Sequence, residues 1–550
     1  MKKILKSEYF QIILVLIITL IVLFRVQLLN NFSQLSGDFI YDNIIHTTIL
    51  EHWFNVFRGR NYWSEVGYFY PYKNTIAQTD AYFLIGVIYS FFRIINIDPF
   101  LSTEYSNIAL KLIGFIASYF LAKKIIKNHY FSLVLAVTFT LNNASTIHIY
   151  RIQLNSVAFI PILMILLIKC LESLNNNKKN KFLIYYSSFG LLLGSLAMTS
   201  FYITFFFLLF IAVFAVTLTV FSRSDLLMYL RKITSNLTYF VFGTLVTFIA
   251  FWPFIFTFLP KSFETGVKQY PYFTLIDIPG LVQMGKGNLI WGYLYEKFLS
   301  TFFPNYKINY SSEYYNMGFS PIILFLLLIS FLWLYKKSKL IFSLLVAVLI
   351  SISLIIIING FSLWQFVYRY VYGAKALTVV SIFTIVLALP ILIVIVFYLS
   401  HKKKNFITYI ILPVLLISFE LNNSVYKLNR NEELSKYDKF IFPEIKCNSF
   451  FVGGWQGQEV FGNYWEWINN QYAHNVSAMY ISQKLNIPTI NGMASFIPKT
   501  YNLVGPNGTA FSPHSEEYLN RVKQYIKKNN LKKVCYLNLN TQTFERVNYK

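Results

Sequence analysis

Asp38, Asp42 and His46 stand at i, i+4 and i+8 in the stretch "SGDFIYDNIIHTTILEHW", directly after the first long apolar run. If the segment is helical, the three line one face. Two roles suit a carboxylate at Asp38. It caps a helix beginning after Gly37 by accepting hydrogen bonds from free backbone N–H groups. Alternatively, it takes the proton of an attacking hydroxyl or contacts a divalent cation such as Mg or Mn. The two are compatible, and spacing alone leaves them open. Asp80, in "GYFYPYKNTIAQTDAYF", is a second carboxylate or another cap, and Glu313, in "SSEYYNMGFSP", is a further acidic candidate.

The basic candidates fall elsewhere. His148, Arg151 and Gln153 crowd into "LNNASTIHIYRIQLNSVAFIPIL", where directional hydrogen-bonding groups beside hydrocarbon either form a binding site or reach for lipid headgroups. Arg369 and Lys375, in "YRYVYGAKALTVVS", suit a lipid phosphate, whether substrate or headgroup. Lys111, in the second apolar run, and Glu420, at the end of the eleventh, read as close enough to the outer face to snorkel. The sequence holds no Walker lysine motif, GxSxG, HExxH or CxxC, so no nucleotide cofactor is expected.

The elements that must position these residues follow from composition. The chain has 550 residues, 56% hydrophobic and 19% aromatic, with a mean hydropathy of +0.50, too apolar for a soluble domain of this length. The formal charge of +24 sits in short clusters between apolar runs, the pattern of cytoplasmic loops, which excludes nucleic acid as a partner. Rich use of Ile, Asn, Lys, Phe and Tyr is what an AT-rich genome encodes, so a bacterial cytoplasmic (inner) membrane is the expected location.

Apolar runs near residues 9–29, 105–122, 130–143, 153–171, 182–199, 201–221, 233–257, 317–335, 340–359, 376–399 and 405–421 predict about eleven transmembrane helices. The first lacks a small-residue cleavage site and reads as retained. Lys and Arg clusters concentrate in alternate loops, which places those loops and the N-terminus inside as an expectation. That leaves residues 30–104, 258–316, 360–375 and a tail from 422 outside. The stretch "DAYFLIGVIYSFFRII" reads as a helix lying in the interface. Strand-like runs "SFFVGG" and "KKVCYLNL" make the tail a small α/β domain. The fold class is thus a polytopic α-helical membrane protein, residues 1–421, with an extracytoplasmic α/β domain at 422–550. Of three cysteines, Cys170 lies in an apolar run, while Cys447 and Cys535 share the tail, where an oxidising compartment permits a bridge that sequence cannot specify.

With "GD" after the first span (Gly37, Asp38), "YPYKNTIAQTDAYF" in the first outer loop and the "HIYRIQLNSVAFIP" turn, the chain resembles the GT-C superfamily of polytopic glycosyltransferases. It looks most similar to bacterial members with a small C-terminal outer domain, through "YGAKALTVVS" and "AMYISQKLNIPTINGMASFIPKTYNLVGPN". The resemblance implies transfer of a sugar, with inversion, from a polyprenyl-phosphate-linked donor to a glycan, lipid or protein acceptor in the cell envelope. Asp38 takes the position of the base or metal contact. Many members carry paired acids there; a single Asp follows Gly37 here, so metal dependence stays open. Asp42, Asp80, His148, Arg151, Gln153, Glu313, Arg369 and Lys375 are the expected substrate-binding residues, among membrane lipids. The alternatives are a polysaccharide polymerase or ligase, which should carry arginine-rich outer loops, and a lipid-linked glycan transporter, which should carry charges at mid-membrane depth.

Overall fold

The computed structural model describes residues 7–37, 42–265, 270–271, 274–306, 316–335, 337–403, 405–423, 427–453, 473–503 and 515–547. The chain divides into two compact units. One comprises Met1–Leu28, Asn107–Trp252 and Val267–Val425, and the other Leu29–Ser106, Pro253–Gly266 and Tyr426–Lys550.

The first unit is helical. A helix lies at each predicted apolar run, among them Glu8–Leu23, Pro99–Ile126, His129–Leu141, Lys179–Ala197, Pro321–Leu334 and Lys339–Ile355. Among the described residues, Ile152–Asn175, Phe201–Phe221, Leu237–Glu264 and Val380–Ser400 are long and apolar enough to cross a membrane, which makes this a multi-pass membrane protein. Equal apolarity hides unequal surroundings. Val380–Ser400 is 94% buried inside the protein, whereas Leu237–Glu264 is 11% buried. The latter is joined to Lys179–Ala197 by close backbone approach. A Cβ on Gly194 would sit 2.6 Å from the Ala250 carbonyl, and one on Gly190 would collide with Thr247. Small residues four apart are what let two membrane helices approach this closely.

The second unit joins segments far apart in sequence. Strand β1 (Gln34–Ser36) pairs antiparallel with β2 (Lys427–Asn429), Gln34 opposite Asn429. The two strand-like runs form strands: β3 (Ser449–Gly453) runs parallel to β4 (Val534–Asn538), which pairs antiparallel with β5 (Thr543–Arg546). Leu35, Ile44, Phe100, Tyr437, Phe450, Val476, Ile481 and Leu537 share one core, so the first long loop and the tail bury their apolar faces together. Arg430 donates from Nε (3.0 Å) and a terminal nitrogen (2.7 Å) to Asp98 Oδ2. Asp98 Oδ1 accepts from the backbone of Phe100 and Leu101 at the start of the Pro99–Ile126 helix. Cys447 and Cys535 are bridged across 88 residues, with Cα atoms 5.7 Å apart, which resolves the pairing that sequence left open.

Candidate functional site

Asp38 and Glu313 lie outside the described residues. The described acidic region begins at Asp42, first residue of the Asp42–Phe57 helix. Asp42 is half-buried, and one turn on, His46 is buried with Nδ1 2.7 Å from the Tyr82 hydroxyl. Tyr82 is the N-cap residue of the Phe83–Ile94 helix and sits in the left-handed region, φ 58. For a bulky residue that conformation costs about 1–3 kcal/mol and persists only where surrounding contacts impose it. Trp53 adds one, donating from Nε1 to the Ala81 carbonyl at 2.5 Å. Asp80 lies half-buried two residues before that N-cap, so the helix begins later than the sequence suggests. Gln78 is fully buried, and among the described residues neither side-chain amide atom has a hydrogen-bond partner. Among the described residues, no three His, Cys, Asp or Glu side chains converge as a metal site.

The same helix carries charges whose role is structural. Glu51 takes two bonds from Arg93, Nε to Oε2 and a terminal nitrogen to Oε1, both 3.0 Å, and a third from the Tyr89 hydroxyl at 2.5 Å. His52 is fully buried, Nε2 3.0 Å from the Trp63 carbonyl. Burial pushes its pKa down to about 4, against a smaller upward pull from that carbonyl.

In the helical unit, the basic candidates are built around the turn that follows His129–Leu141. Asn142 caps the short Asn143–Ile147 helix, its Oδ1 accepting from Ser145 N at 3.2 Å. His148 is fully buried, Arg151 is half-buried with its guanidinium 5.5 Å from the Tyr150 ring centroid, and Gln153 is half-buried where the Ile152–Phe159 3₁₀ segment begins. Asn155 pins the turn by donating to Asn107 Oδ1 and to the Ile149 carbonyl, both 3.0 Å.

Two residues read as snorkelling are instead interior. Lys111 is 6% exposed and its ammonium bonds the Ser145 hydroxyl; it forms no ion pair among the described residues. With Thr140, Ser145 and Asn155 it lines a cavity of about 10 Å³, room for roughly one water. Glu420 is 1% exposed, and its Oε2 accepts from Asn143 N at 2.7 Å and Asn142 Nδ2 at 3.1 Å. Both charges point back into the turn because a helix-packed interior, not lipid headgroups, surrounds them. A lysine inside an apolar run was the signal available in the sequence; its direction was not.

Arg369 and Lys375 differ from these. Arg369, in the last turn of the Trp364–Tyr370 helix, and Lys375, in the Ala374–Ala376 turn, are exposed, and neither forms an ion pair among the described residues. Phe366, Tyr370 and Tyr372 are exposed around them, and Arg369 lies 5.4 Å from the Tyr370 ring centroid.

No protein-family model and no curated protein sequence matches the chain. Solved structures do. Archaeal oligosaccharyltransferase AglB from Archaeoglobus fulgidus, in complex with an inhibitory peptide and a dolichol-phosphate, is 13% identical over 96% of this chain and 69% of its own, with a TM-score of 0.45. The Archaeoglobus fulgidus oligosaccharyltransferase tethered to an acceptor peptide is 11% identical over 98% and 74%, with a TM-score of 0.47. ArnT from Cupriavidus metallidurans, bound to undecaprenyl phosphate, is 11% identical over 87% and 85%, with a TM-score of 0.32.

Proposed function

We propose that the protein is a membrane glycosyltransferase of the GT-C type, with about eleven spans and the tail outside. It moves a sugar from a polyprenyl-phosphate-linked donor to an envelope acceptor at the outer face of the cytoplasmic membrane. The observation that carries this reading is the gathering of basic and polar groups at one turn, where the Lys111 ammonium is buried against the Ser145 hydroxyl, His148 is buried and Arg151 follows a few residues on. A phosphate between membrane helices suits such a turn, because charge-assisted hydrogen bonds from a guanidinium to phosphate oxygens are strong. The disulfide adds support for an extracytoplasmic tail, since such bridges persist in oxidising compartments.

In the reaction, the acceptor hydroxyl attacks the anomeric carbon with inversion as the bond from that carbon to the phosphate oxygen breaks. Asp38 accepts the hydroxyl proton, and the polyprenyl phosphate leaves with its negative charge held by Arg151 and, nearer the surface, Arg369 and Lys375. Asp42, Asp80, His148, Gln153 and Glu313 are the further residues expected to contact donor or acceptor. The test is sugar transfer by purified protein from a polyprenyl-phosphate-linked donor to envelope extract, with products read by mass spectrometry. Asp38→Asn keeps the capping ability and should fold normally yet lose on the order of 10²-fold in rate, while Asp42→Asn loses less. Rate loss on chelation, restored by Mg or Mn, would add a cation to the role of Asp38. Transfer at the original rate by Asp38→Asn would overturn the assignment.

A further inference from the structure

Lys111 and Glu420 are opposite buried charges that never touch, yet both end on the same few residues. Lys111 Nζ bonds Ser145 Oγ, Ser145 N donates to Asn142 Oδ1 at 3.2 Å, and Asn142 Nδ2 donates to Glu420 Oε2 at 3.1 Å. Asn143 N adds a second bond to the same oxygen at 2.7 Å. The Asn142 amide is aligned by this chain, its carbonyl end toward the cation and its amino end toward the anion, as the field between the charges demands. None of these groups reacts in the proposed transfer.

We propose that Lys111 and Glu420 form a split ion pair that clamps the Asn142–Ser145 turn from both sides, and that they are positioning residues for the Arg151 segment that follows. This rests on that segment being the donor-phosphate site. Each charge is tolerable because the other polarises the amide between them; with one removed, the other is left buried and uncompensated, and the turn loosens.

Thr146→Cys serves as reporter, since Thr146 is 5% exposed and belongs to the clamped helix. In full-length protein, Lys111→Met and Glu420→Gln should each make this thiol react roughly tenfold or more faster with a small maleimide, while the double variant returns toward the original rate. In the same proteins each single change should raise the KM for the lipid-linked donor by roughly tenfold with kcat within about twofold, and the double should recover. If the singles fail to fold, a folded double variant with a slow thiol supports the clamp. An unfolded double variant, or effects of the two changes that simply add, overturns it. Coupled thiol rates with an unchanged donor KM would uphold the clamp and remove the donor phosphate from this turn.

Discussion

In the unit that carries the tail, the buried Glu51 meets the half-buried Arg93 through two hydrogen bonds, and Asp98 meets Arg430 through two more. In the helical unit, Lys111 and Glu420 are buried more deeply, and neither forms an ion pair among the described residues. A direct buried pair is closed: its lone pairs and protons are satisfied, and what it does is fix the contact of two segments. The split charges both end on the turn that also carries His148 and Arg151. The difference teaches that charge burial alone does not mark function; lack of a counter-ion at a turn with further polar groups does.

The comparison is broken or sharpened first by stability. Arg93→Met strands the Glu51 carboxylate and should cost about 3–5 kcal/mol, seen as a large fall in the thermal midpoint of the purified protein. A loss below about 1 kcal/mol, the size usual for an exposed pair, would mean that the pair is not closed.

A second, smaller effect concerns His52, which the tail-bearing unit keeps neutral. With its pKa at about 4 in the fold against 6.5 as the ordinary value, the unfolded chain binds a proton between those pH values that the folded chain does not. Stability is therefore full above pH 6.5 and falls as pH is lowered toward 4. His52→Asn should flatten that slope in thermal unfolding measured across the window. An unchanged slope would assign the acid sensitivity to other groups.

The smallest effect is expected at the exposed cations. Arg369→Ala with Lys375→Ala should weaken donor use by roughly twofold to fivefold at low salt, and the difference should vanish near 1 M salt, where screening acts within about 3 Å. A large loss that salt does not relieve would set this loop beside the buried turn and blur the distinction between them.

The apolar runs were legible because a helix that crosses lipid must be long and apolar throughout, and a helix stands at each predicted run. Strands β3 and β4 were legible from short runs bounded by turn residues. What the sequence could not yield was partnership at long range. Arg430 with Asp98 lies 332 residues apart, and β1 with β2 joins the first loop to the tail; neither leaves a periodic trace. Lys111 and Glu420 failed for a related reason, since reach to the outer face suggested water or headgroups while packing decided otherwise. Gln78 and Tyr82 were silent because an orphaned amide and a left-handed backbone are properties of the fold.

The most direct test of the account is binding of polyprenyl phosphate, without sugar or acceptor, to the purified protein and to Arg151→Ala, at equal folded fraction. Charge-assisted contact at a desolvated turn predicts a Kd at least roughly tenfold weaker in the variant. An unchanged Kd would contradict the claim that this turn seats the phosphate of a lipid-linked donor.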